Sequence, residues 1–244
     1  VAGDIGAVRD NHTGVIGTAP GVRIMPVHWG YSVADLALAV DQAAQNGADI
    51  MNNSWGWVGA PSSDIENAVV NALNGGCVML FAAGNGPDRP PWSYEVGFPA
   101  RLTETLDVIC VGASGPLDDH KSASSSDGLH AWGSSYIGPG PDVVAPGPWS
   151  YTTDRTGRDG YNDGSLLDDP DTAPEFGGTS SATPKVAGIA ALMLSANPNL
   201  APGDVKRILM QTADDIDTPG PDDKTGAGRV HAEAAVRAAL DSAQ

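Results

Sequence analysis

Phe176-Gly-Gly-Thr-Ser-Ser-Ala-Thr-Pro184 is the stretch on which the reading of this chain turns. Two glycines lead into a run of hydroxyls, and the hydroxyls enter a segment, Ala182 to Ala196, that is apolar nearly all round (Val186, Ala187, Ile189 and Ala190 through Leu194). A helix apolar on every face belongs in the middle of a domain. Pro184 is tolerated in a first helical turn, where its missing N–H has little to do. A serine at such a junction sits at the positive end of the helix dipole, beside unpaired backbone N–H groups. Those groups suit an oxyanion developing on an attacked carbonyl. On position alone, a helix cap is the simpler role for Ser180.

Upstream of this helix the chain alternates. Val22–Val27 reads as a strand, Val33–Asn46 as a helix closed by Gly47, and Asp49–Asn53 as a second strand. Ser62 or Ser63 can cap a helix from Asp64 to Leu73, which Gly75-Gly76 stops. Strands follow around Cys77–Phe81 and Asp107–Val111. Their apolar residues run continuously rather than alternately, as strands covered on both faces require. The expected fold is α/β: three layers, with a mostly parallel central sheet covered by helices on both faces. Residues 113–178 are rich in Gly, Ser, Asp and Pro, with an extended piece at Asp142–Pro146. Two amphipathic helices, about Pro202–Thr212 and Val230–Ser242, close a single domain spanning 1–244.

The charge balance narrows the partners. With 13 Lys and Arg against 30 Asp and Glu, the net charge is −17. Such a field repels phosphate, which argues against nucleic acid and anionic membrane surfaces. No apolar run approaches the roughly 20 residues of a membrane span. Two cysteines, Cys77 and Cys110, are too few for a disulfide framework or a cysteine-rich zinc site. Buried free thiols are expected, and a disulfide only if their strands are neighbours. The chain opens at Val1-Ala-Gly-Asp-Ile5 without an initiator Met or a signal peptide, and reads as a processed product or a fragment.

Two further segments belong with the first. Phe81-Ala-Ala-Gly-Asn-Gly86 ends a buried strand with Asn85 at its C-terminal edge, where open α/β sheets bind ligands. Asn85 is either a turn residue or an amide donor aimed at a substrate oxygen. Asn52-Asn-Ser-Trp-Gly56 also follows a strand and offers an edge for an extended peptide.

In this order the three segments resemble the subtilisin-like serine proteases. Gly178–Pro184 with Val186-Ala-Gly188 is similar to that family's nucleophile signature, with Ser180 in the nucleophile's place. Ala82–Gly86 is similar to the oxyanion segment, and Ser54-Trp-Gly56 to the strand that pairs with substrate. Val1-Ala-Gly3, Gly14–Pro20, Val144–Gly147 and Gly226–Val230 match further landmarks. The resemblance implies a secreted or extracellular enzyme that hydrolyses polypeptides through an acyl-enzyme, with no cofactor required for the chemistry. Ser180 Oγ would attack the carbonyl. Asn85 and the Ser180 N–H would hold the oxyanion. Substrate would lie along Ser54, Trp55 and Gly56, its side chain in a pocket near Ala82, Ala83 and Gly84.

The departures from the family are specific. The resemblance places the catalytic Asp and His before the segment matching Val1–Gly3. His12, His28, His120, His130 and His231 all lie outside the family's histidine context and read as surface or packing residues. A serine without an adjacent base is a poor nucleophile. The chain is therefore expected to be the C-terminal portion of a larger protease and inactive alone. Its partner would be the missing N-terminal segment, which also holds a central strand. A pseudoprotease that binds peptides on the same scaffold is the alternative. A nucleotide-binding α/β protein is disfavoured, since no strand leads into G-x-G-x-x-G or a P-loop. Ser181 and Lys185 stand where family members often carry Met and His, and are read as packing residues. Trp55 is bulkier than usual and would restrict substrate side chains. Asp10 and Asn11 fall where many members bind a structural calcium, but two polar residues do not define a site. Asp163, Asp168, Asp169 and Asp171 read as a solvated acidic turn.

Overall fold

A computed structural model describes residues 1–30, 32–86, 94–125, 132–162 and 172–243. The chain begins with a short helix, α1 (Ala2–Gly6), followed after a long irregular stretch by α2 (Val33–Gln45). Ser32 and Asp35 close a capping box at the start of α2, each side chain accepting from the other's backbone N–H. Then come β1 (Ile50–Asn53), α3 (Ser63–Asn74, capped by Ser62), β2 (Val78–Ala82) and the two-residue β3 (Asn85–Gly86). A 3-10 turn (Ala100–Glu104) precedes β4 (Ile109–Ser114), β5 (Gly133–Ser134), β6 (Val143–Pro146), β7 (Ser150–Thr153) and β8 (Thr172–Phe176). The chain closes with α4 (Thr179–Ala196), α5 (Pro202–Gln211) and α6 (Ala232–Asp241).

Four strands form one parallel sheet in the order β1-β2-β4-β6. Side chains alternate across it, so the sheet feeds two cores. Val78, Leu80, Ile109, Val111 and Val143 meet Ala182, Val186, Ala190 and Met193 of α4, with α5 and α6 behind. Met79, Phe81 and Cys110 meet Leu36 and Val40 of α2 and Ile65 and Val69 of α3 on the other face. This is the three-layer arrangement that the continuous apolar runs imply. The helix read from Ala182 starts one turn earlier, at Thr179, and is buried on nearly every face. Two small antiparallel pairs, β3–β5 and β7–β8, sit beside the sheet.

One expectation changes, and that of buried free thiols holds. Val22–Val27 is not a strand: residues 23–30 make no backbone hydrogen bond to another described residue. Ile24, Met25 and Val27 are more than 40% exposed. An apolar run becomes a strand only when a ladder partner takes its N–H and C=O groups. None of the described residues does so, and β1 is left as the edge of the sheet. The cysteines do lie on or beside neighbouring strands, yet the register sets Cys110 against Phe81, four residues along from Cys77. That is about 13 Å along a strand, far beyond disulfide reach. Both thiols are free and buried.

Candidate active site

Three chain segments converge at the C-terminal edge of the sheet. Beyond β1 comes Ser54-Trp55-Gly56, beyond β2 comes Ala83-Gly84-Asn85, and α4 enters the core with its N-terminus between them. Gly178 makes the last junction: at φ +97 and ψ 173 it occupies backbone space that glycine alone populates freely.

Hydrogen bonds lock the three together. Ser54 Oγ donates to the Ser180 carbonyl at 3.0 Å, and Ser180 Oγ donates to the Ser54 carbonyl at 3.2 Å. The Thr179 N–H and hydroxyl both donate to Asn85 Oδ1, at 2.8 and 3.1 Å. The Gly84 N–H donates to Thr179 Oγ1 at 3.2 Å. With Oδ1 so held, Asn85 Nδ2 makes no hydrogen bond among the described residues and is left as a donor. The backbone around it is fixed as well. Asn85 pairs with Ser134 in the β3–β5 ladder, and Ser135 N–H donates to Gly84 O at 3.0 Å.

These segments enclose a cleft of about 490 Å³. Its lining includes every candidate named from sequence: Ser180, Asn85, Ser54, Trp55, Gly56, Ala82, Ala83 and Gly84. Trp57, Val58, Glu95, Gly97, Ser135 and Thr179 also line it and were missed. Thr179 adjoins Ser180 in sequence and could have been found there. Gly97 and Glu95 come from a distant loop that the Trp57–Phe98 backbone bridge draws in, and no local signal announces that. Trp55 is packed edge-on against Phe81 at 5.7 Å, stacked on Trp57 at 6.3 Å and tilted against Trp29 at 6.4 Å.

No histidine lines the cleft among the described residues. His120 is buried behind it, its Nε2 3.0 Å from the Ser134 carbonyl and its ring edge-on to Tyr136. Burial holds its pKa below the ordinary imidazole value. His231 accepts from the Ala234 N–H as the cap of α6, while His12 and His28 are exposed. His130 lies outside the described residues, as do Asp163, Asp168, Asp169 and Asp171. Asp10 and Asn11 are exposed and satisfied within their own loop: Asn11 Oδ1 accepts from Thr13 N at 3.1 Å, and Asp10 lies 3.6 Å from Arg9. Among the described residues no three His, Cys, Asp or Glu side chains converge as a metal site, and no helix is long and apolar enough to cross a membrane.

The sequence profile of the subtilase family, peptidase S8, matches residues 1–228. The chain is 36% identical to the calcium-dependent protease of Trichormus variabilis over 96% of its length, and 32% identical to subtilisin DY of Bacillus licheniformis over 97%. It spans 39% of the first of these relatives and 76% of the second. The crystal structure of fervidolysin from Fervidobacterium pennivorans, a keratinolytic enzyme related to subtilisin, superposes with a TM-score of 0.77 at 30% identity. That match covers 97% of this chain and 35% of fervidolysin. On the strength of profile, relatives and fold together, this chain belongs to the subtilase family.

Proposed function

We propose that this chain carries the nucleophile, the oxyanion site and the substrate edge of a secreted serine endopeptidase. The observation that carries the reading is the convergence of Ser180 Oγ and the Asn85 carboxamide on one cleft, with Oδ1 pinned by Thr179 and Nδ2 left to donate. In the reaction, Ser180 Oγ adds to the scissile carbonyl carbon. Asn85 Nδ2 and the Ser180 N–H take the charge that moves to the oxygen, and the amine leaves to give an acyl-enzyme that water hydrolyses. An extended peptide pairs with Ser54–Gly56 and places one side chain against Ala82–Gly84. No cofactor enters these steps. The name of the Trichormus relative, a calcium-dependent protease, supports a calcium requirement. That of the extracellular protease of Xanthomonas campestris supports secretion.

The Ser180 proton needs an acceptor stronger than the Ser54 carbonyl. We assign that role to an imidazole on a polypeptide segment outside these 244 residues, which docks beside β1. Three features support the docking place: β1 is an edge of the described sheet, the exposed apolar run Ile24, Met25, Val27 and Trp29 reaches the end of β1 through the Trp29–Trp55 ring contact, and Asn52 Oδ1 is a buried acceptor without a partner among the described residues. The chain alone is then a peptide-binding scaffold with a dormant serine.

A fluorophosphonate probe tests this, since its phosphorus bonds to an activated serine oxygen as fluoride leaves. In plain buffer the chain labels slowly. Imidazole added to the buffer as an external base accelerates labelling, and Ser180→Ala abolishes it. Fast stoichiometric labelling without imidazole would refute the need for an outside base. Absence of Ser180-dependent labelling with imidazole would refute the nucleophile and leave the pseudoprotease.

A further inference from the structure

We propose that Lys185 is a positioning residue for the Ser180 hydroxyl, acting through a buried polar knot that ties the first turn of α4 to α1 and β7. The proposal rests on the reading of Ser180 as nucleophile. Lys185 follows Ser180 by five residues, and its ammonium folds back along the helix. It donates to the Ser181 carbonyl at 3.0 Å and the Ser181 hydroxyl at 2.8 Å. It also donates to the Ser150 hydroxyl of β7 at 2.5 Å and lies 3.7 Å from Asp4 Oδ1 of α1. The Ser150 and Ser181 hydroxyls are themselves 2.5 Å apart. The other oxygen of Asp4 takes the Thr152 hydroxyl at 3.2 Å. The Asp4 side chain is only 2% exposed and that of Lys185 25%.

The geometry grips Ser180 from two sides. Ser54 holds its carbonyl and hydroxyl from the sheet edge. Lys185 holds the next residue, Ser181, by both its carbonyl and its side chain, and anchors that grip on two other elements. Stability alone gives a poor reason for an ammonium here. Burial pulls the Lys185 pKa below the ordinary lysine value, and the nearby Asp4 carboxylate only partly opposes this. Replacing both partners of a buried ion pair by well-packed apolar side chains is often neutral or stabilising. An apolar side chain cannot hold Ser181, however. A misplacement of about 1 Å in a reacting group can cost on the order of a hundredfold in rate.

The test uses the fluorophosphonate assay with imidazole as external base, on the parent chain, Lys185→Met, Asp4→Asn and the double variant. The expected result is labelling of Lys185→Met slowed by about ten- to hundredfold. The loss should fall in the limiting labelling rate rather than in the half-saturating probe concentration. Lys185→Met alone leaves the Asp4 carboxylate buried without its counter-charge and lowers the melting temperature. The same slowing is therefore expected in the double variant Lys185→Met/Asp4→Asn, which strands neither charge and melts near the parent. Asp4→Asn, which keeps the shape and removes the counter-charge, should be slowed by a smaller factor. Labelling of Lys185→Met at the parental rate overturns the proposal and leaves the nucleophile standing. A double variant that fails to fold or melts well below the parent makes Lys185 a structural prop and also overturns it. Failure of the parent itself to label at Ser180 removes the nucleophile, and the proposal with it.

Discussion

Replacing Gly178 by alanine tests the junction that presents the site. The backbone there, at φ +97 and ψ 173, costs a side-chain-bearing residue about 1–3 kcal/mol. Alanine also restricts the unfolded chain, which returns roughly 0.4–1 kcal/mol. The new Cβ would stand 3.0 Å from Asn85 Nδ2 and 3.4 Å from Oδ1. The carboxamide must give by a few tenths of an ångström, and the weakening of its bond from the Thr179 N–H adds up to about 1 kcal/mol. The net expectation is a destabilisation of roughly 1–3 kcal/mol, or about 2–12 °C in melting temperature for a chain of this size. Gly177→Ala is the control. Its Cβ meets nothing nearer than 3.6 Å and its φ is not left-handed, so it should be neutral or stabilising by at most about 1 kcal/mol. Urea unfolding followed by tryptophan fluorescence gives both energies, and the NMR shift of the Asn85 side-chain amide reports its displacement. A Gly178→Ala protein as stable as the parent, with that resonance unmoved, would refute the reasoning. So would an equal loss from Gly177→Ala.

Further perturbations address other parts of the molecule. Asn85→Leu removes one donor to a charged oxygen, worth about 1.5–3 kcal/mol, and should slow imidazole-assisted labelling of Ser180 by roughly ten- to hundredfold. It also leaves the buried Thr179 N–H without its acceptor, which should lower stability by about 1–3 kcal/mol. Asp142 accepts from Thr103 and the Cys110 N–H and pairs with Lys206 at 3.2 Å, both charged side chains being at most 15% exposed. Asp142→Ala should therefore cost about 3 kcal/mol in urea unfolding, since it strands Lys206, and Lys206→Met should cost clearly less. Burial pushes the Cys77 thiol up to about 12 and Cys110 well above its usual range, so neither should react with iodoacetamide at pH 8 until the chain is unfolded. The buried His120 binds its proton less readily when folded than when unfolded. Its contribution is thus present above pH 6.5 and lost as pH falls below that value, and His120→Gln should flatten this limb of a stability–pH profile.

The central strands were legible because burial on two faces leaves a signature that local sequence carries: Cys77–Phe81 and Asp107–Val111 could hardly be anything else. Val22–Val27 carries the same signature and is not a strand, since apolar character records a tendency to be covered and says nothing about who supplies the ladder. The site divides in the same way. Ser180 and Asn85 are marked locally by glycines and by the end of a strand or the start of a helix. Glu95, Gly97 and Ser135 reach the cleft only through long-range pairing, and their own neighbours give no hint of it. Helix α1 was not foreseen either, being too short at five residues to show a periodicity. Lys185 was read as packing, because the partners that give it a different meaning lie on α1 and β7, remote in the chain.

Helix α4 is the most enclosed helix of the domain, yet its tip carries the group offered to solvent. The serine is therefore mounted on the interior rather than on a surface loop, and the packing of Val186, Ala190 and Met193 acts as its bearing. Loosening that bearing by a methyl or two would blur the aim of the hydroxyl while most of the fold still stood, so damage deep in the interior should be felt at the surface first as lost chemistry and only later as unfolding.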